Sequence, residues 1–85
     1  MILSVIDVKY IEAYKIWISF DNGNSGTIDL KDELYGEVFE PLNDIELFKT
    51  VKLHPIMESI YWENGADFAP EHLLDILKNK LQNVG

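Results

Sequence analysis

Apolar and polar positions alternate through the first third of the chain and repeat with helical spacing near its end. In Ala13-Tyr14-Lys15-Ile16-Trp17-Ile18-Ser19-Phe20, the residues Tyr14, Ile16, Ile18 and Phe20 alternate with Lys15, Trp17 and Ser19, the period of a half-buried strand. Val5-Ile6-Asp7-Val8-Lys9-Tyr10 has the same β-branched and aromatic character, so the two runs predict a hairpin turning around Ile11-Glu12-Ala13. Asp21-Asn22-Gly23-Asn24-Ser25-Gly26 is dense turn chemistry. Thr27-Ile28-Asp29-Leu30 then resumes a short alternation and predicts the third strand of a meander.

Asp29 is placed to cap a helical turn over 30–34, which Tyr35-Gly36 stops. After Pro41, Asn43-Asp44 supplies a capping residue ahead of Glu46 and predicts a second short helix that turns Leu47 and Phe48 toward the core. A strand over 50–53 follows; His54-Pro55-Ile56-Met57 interrupts it, and Glu58-Ser59-Ile60-Tyr61-Trp62 returns. Val51, Leu53, Ile60 and Trp62 then share a buried face. The next residues turn at Asn64-Gly65, which tolerates positive φ, and start the last helix at Pro70, with Asp67 capping or stiffening that turn. Leu73, Leu74, Leu77 and Leu81, widened by Ile76, form the apolar stripe of that helix, with Glu71 in its first turn and Lys78 and Lys80 near its end. The pattern predicts a single domain over 1–85 of the α+β class. Its two layers are an antiparallel sheet (a three-stranded meander plus a C-terminal hairpin) and, packed on one face, short helices and a C-terminal amphipathic helix.

Four stretches in order carry a resemblance: the Phe20-Asp21-Asn22-Gly23 turn, Gly26-Thr27-Ile28-Asp29-Leu30, Val38-Phe39-Glu40-Pro41-Leu42-Asn43-Asp44 with Phe48, and Ile60-Tyr61-Trp62-Glu63-Asn64-Gly65-Ala66-Asp67-Phe68-Ala69-Pro70. Together they cover nearly the whole chain and resemble the bacterial domain-of-unknown-function family 2442. The resemblance implies a small α+β fold, a bacterial cytoplasmic setting and an association with toxin–antitoxin-like gene pairs; it brings no active site to carry over. Glu63 stands where that family usually has Pro, and His54-Pro55-Ile56-Met57 where it more often has Asp and Gly.

Composition narrows the classes of function. A chain of 85 residues that is 47% hydrophobic and 26% charged is an ordinary globular domain with one modest core. It has no Cys, which excludes disulfides, a thiolate nucleophile and thiolate-ligated metals, and suits a reducing cytoplasm. No window is apolar enough to predict a membrane span. The net charge is −8, and all seven basic residues are Lys. Without Arg, and with a field that repels phosphates, direct binding to nucleic acid is not expected.

Three constellations are candidates for chemistry. Asp21, Asn24, Ser25, Asp29 and Asp32 imitate a calcium loop with Gly at its sixth position, but its third position is Gly23, its twelfth is Asp rather than Glu, and its flanks read as strands. Asn64, Asp67, Glu71 and His72 form a polar cluster at the start of the last helix, to which His54 could add a second imidazole; Asp32-Glu33 and Glu37/Glu40 read as solvated acidic pairs with no converging base. Trp17, with Lys15 beside it, falls on the face opposite Ile16 and Ile18, and Tyr61 falls opposite Trp62. Trp17 is either an exposed anchor of an interface or part of the core, and both readings stay open. The expectation is a non-enzymatic protein-interaction module that binds another protein or itself, an accessory or antitoxin-like member of a two-gene pair, with no cofactor and no metal. A small metal- or carboxylate-dependent hydrolase using Asp67, Glu71 and His72, or a small-ligand-binding domain, is the alternative.

Overall fold

The computed structural model describes residues 3–82. Strands β1 (Val5–Glu12), β2 (Lys15–Phe20) and β3 (Ser25–Asp29) form the expected antiparallel meander in the order β1-β2-β3. Ala13 makes the first turn at φ 49°, and the Tyr10 hydroxyl donates to its carbonyl at 2.9 Å. Register shifts between Val5 and Asp7 and between Tyr10 and Glu12 interrupt the alternation of β1, and they leave Ile6 and Ile11 exposed. The second turn closes through Phe20 N–H to the Asn24 carbonyl at 2.8 Å, with Gly23 at φ 93°. Ile16, Ile18 and Phe20 are fully buried, as the alternation requires, and Ile28 joins them from β3.

Asp29 Oδ1 accepts the Lys31 N–H at 2.9 Å and opens a 3-10 turn over Lys31–Glu33; Gly36, at φ 92°, follows it. A second 3-10 turn, Glu40–Asn43, leads into α1 (Ile45–Phe48), which Asp44 caps by accepting the Glu46 N–H. Asn43 ties this region together. Its Nδ2 donates to the carbonyls of Leu34 and Glu40, each at 3.0 Å, its Oδ1 accepts from Lys31 Nζ, and its carbonyl accepts from the Tyr14 hydroxyl.

The sequence predicts a C-terminal hairpin, but the second sheet has three strands. Strands β4 (Lys52–Leu53), β5 (Ile60–Tyr61) and β6 (Asp67–Phe68) pair antiparallel in that order. Asn64-Gly65 makes the expected turn, with Gly65 at φ 98°, but it folds the chain back into β6 before the last helix begins. Asp67 therefore lies on a strand, and the Ala69 carbonyl accepts the His72 and Leu73 N–H groups as the last helix, α2 (Pro70–Gln82), begins. Leu53 departs from its expected burial: it is 36% exposed, on the two-residue outer strand of this sheet, whereas its partner Ile60, on the central strand between β4 and β6, is fully buried. The Glu58 carbonyl joins the sheets by accepting the Val5 N–H at 2.8 Å.

One core serves both sheets. Phe48 packs edge-on against Tyr10 and Tyr14 at 6.0 and 5.4 Å and tilts over Trp62 at 5.6 Å. The buried Trp62 Nε1–H donates to the Phe48 carbonyl at 2.7 Å, so the largest core ring also satisfies the end of α1. Leu73 and Leu77 of α2 are buried, and Leu74 and Ile76 pack partly against the same core. The side chains of Lys80 and Leu81 lie outside the described residues.

Candidate functional site

The β4–β5 connection builds a hydrogen-bonded apolar tip. Pro55 donates no backbone hydrogen bond, and the chain reverses through His54 N–H to the Ser59 carbonyl at 2.7 Å and Glu58 N–H to the His54 carbonyl at 2.9 Å, with Glu58 at φ 54°. His54 Nδ1 accepts the N–H groups of Ile56 and Met57 at 3.2 and 3.1 Å. A neutral His54 therefore carries its proton on Nε2. With their N–H groups satisfied inside the turn, Ile56 and Met57 project outward, 85% and 60% exposed. Beside them a recess of about 250 Å³ is lined by His54, Met57, Tyr61, Asp67, Phe68 and Pro70 among others, and the His54 ring meets Tyr61 edge-on at 5.1 Å.

A second recess, of about 280 Å³, lies on the other side of Asp67 and Phe68, lined also by Glu33, Tyr35, Phe39 and His72. His72 Nε2 lies 2.6 Å from Glu33 Oε1 and donates to it, since a carboxylate only accepts. The imidazole also stacks on Phe68, 5.9 Å between centroids and 13° between planes.

The residues singled out from the sequence separate. Trp17 is half-buried on the outer face of β2, paired with Lys9 and Thr27, and the Lys9 ammonium sits 5.6 Å from its ring centroid. Lys15 is exposed and lines a different recess with Asp29 and Ile76. Tyr61 lies on the other sheet and lines the recess beside the tip. In the polar cluster, Asp67 and His72 share a recess. Asn64 instead serves its own turn, accepting the Ala66 N–H and donating to the Val38 carbonyl, and Glu71 is exposed and outside the recess lining. His54, the second imidazole, is engaged at the tip. The base that the sequence reading does not find for Asp32-Glu33 is His72, brought to Glu33 from α2.

In the calcium-like loop, Asn22 and Asp29 cap their own turns by accepting the N–H groups of Asn24 and Lys31, and Asp21 accepts the Ser4 N–H from the segment before β1. Among the described residues no three His, Asp or Glu side chains are grouped to hold a metal ion, and no helix is long and apolar enough to cross a membrane.

Across the β4–β5 pair, Lys52 binds Glu63. The hydrogen bond from Lys52, then its charge, holds the Glu63 carboxyl below its ordinary value, and the same bond and charge from Glu63 raise the Lys52 ammonium.

Tyr35, Phe39, Ile56 and Met57 escape a sequence reading of the site, and Glu33 is read there only as a solvated acid. Only Ile56 and Met57 leave a signal, two large apolar residues at a hairpin tip where polar turn residues belong. No curated protein and no solved structure matches the chain. The model of one family, described as protein of unknown function (DUF2442), matches residues 5–79, and the chain belongs to that family.

Proposed function

We propose that this domain is a non-enzymatic protein-interaction module that docks a basic partner protein through the β4–β5 tip. The exposure of Ile56 and Met57 carries the reading: two adjacent large apolar side chains, held outward by a capped turn beside an apolar recess, make a preformed anchor. Charge favours a basic partner over a second copy. Glu58 closes the tip turn, Asp67 lines the recess beside it, Lys52 is engaged by Glu63 at the other end of the β4–β5 pair, and the whole chain carries −8. Such a field steers a basic surface inward and repels an identical one. Trp17, with Lys9 over its ring, becomes secondary to the tip.

The setting we propose is a bacterial cytoplasm, which the absence of Cys suits, with the domain as an accessory or antitoxin-like member of a two-gene pair. Co-expression with the product of the adjacent gene, followed by size-exclusion chromatography with light scattering, tests the reading. A stable hetero-complex is expected. A chain that elutes alone at monomer mass, or pairs only with itself, contradicts it. The His72–Glu33 recess favours small-ligand binding as a second reading.

A further inference from the structure

We infer that the recess bounded by Glu33, Tyr35, Phe39, Asp67, Phe68 and His72 binds an organic cation, the ammonium or guanidinium end of a basic side chain. This deepens the interaction reading and rests on it only for the source of the cation.

Three observations combine. The walls are aromatic: Phe39 and Phe68 pack at 4.8 Å, and the Tyr35 ring, 72% exposed, stands at the rim. Ring faces attract cations through their quadrupole, and more strongly where water is thinned. The charged groups are carboxylates brought from separate elements, Glu33 from the first 3-10 turn and Asp67 from β6. They outweigh the roughly half positive charge at the start of α2.

Four of the chain's seven lysines are engaged outside the recess: Lys9 lies over Trp17, Lys31 binds Asn43, Lys49 binds Glu46 and Lys52 binds Glu63. His72, the base that lines the recess, donates to Glu33 and stacks on Phe68. Its role is to position the Glu33 carboxylate. About 280 Å³ gives room for a cationic head with its alkyl stem lying along the rings.

Titration of the full chain by amide NMR with Nα-acetyl-lysine methylamide, tetramethylammonium and the neutral norleucine analogue tests the inference. Saturable shifts over 33–39 and 67–72 are expected with the cations, at least tenfold weaker with norleucine, and about tenfold weaker in Asp67→Asn. Glu33→Gln, which can still accept from His72, should weaken binding similarly while the rest of the spectrum stays unchanged. Binding of either cation supports the site, and the tighter of the two identifies its source as a partner's side chain or a free small ammonium. Equal shifts with norleucine, no shifts with any probe, or unchanged binding in both variants would overturn it. A chain that binds these cations yet forms no protein complex contradicts the interaction reading alone.

Discussion

Leu77 Cδ1 lies 2.8 Å from where a Cβ on Gly26 would stand. Gly26 occupies the core face of β3 opposite Ile18, and its missing side chain lets α2 settle against the sheet. Gly26→Ala should therefore cost about 1–3 kcal/mol, because the buried Leu77 side chain must shift within the core to make room. Gly23→Ala, in open space at φ 93°, should cost about 1 kcal/mol through backbone strain alone. Urea unfolding of both variants checks the difference in mechanism. A Gly26→Ala protein as stable as wild type would mean that α2 does not seat on β3 so closely.

The two tryptophans should respond unequally. Trp62→Phe removes the donor to the Phe48 carbonyl and opens space in the core, for a loss of about 2–4 kcal/mol. Trp17→Phe, on the outer face, should stay within about 1 kcal/mol of wild type. Thermal melts decide this, and a large loss from Trp17→Phe would restore the core reading of that residue.

Lys52 and Glu63 give stability a defined pH window. Glu63 is depressed from its ordinary value of 4.5, so its contribution is present above that pH and is lost as pH falls through the lower folded value. Lys52 is raised above 10.5, so its contribution is complete below that pH and fades as pH rises through the higher folded value. The melting temperature of wild type should exceed that of Glu63→Gln by a small margin between these limits. The margin should close at either extreme and shrink in high salt, because the pair is exposed. A difference constant with pH would assign the effect of Glu63 to something other than this pair.

His54→Ala should loosen the tip without unfolding the domain. It removes the acceptor for the Ile56 and Met57 N–H groups, which water can then satisfy, at a cost of about 0.5–1.5 kcal/mol. Amide hydrogen exchange should accelerate at Ile56 and Met57 while Ile18 and Ile28 stay protected. Unchanged exchange at the tip would show that the imidazole does not hold it.

Local signals in the sequence lead to local structure. The alternation around Ile16 and Ile18, the cap at Asp44, the turn at Asn64-Gly65 and the stripe through Leu73 and Leu77 each depend on neighbours a few residues away, and each appears where the pattern places it. Asp67-Phe68 is too short to announce a strand; only its pairing with Ile60-Tyr61 makes it one. Gly26 reads as a turn residue because the Leu77 side chain that needs its empty space lies on a distant helix. The His72–Glu33 contact spans 39 residues, and no periodicity links its ends. Ile56 and Met57 are visible in the sequence, but as an interruption. Their outward projection depends on the His54 cap, which only the folded turn supplies.

Light scattering of this chain co-expressed with the product of the adjacent gene, repeated with Ile56→Ser/Met57→Ser, tests the proposed interaction most directly. Both side chains are exposed, so the double variant should melt within about 1 kcal/mol of wild type and lose the complex by at least tenfold in affinity. A complex of undiminished affinity with the double variant would contradict docking through the tip.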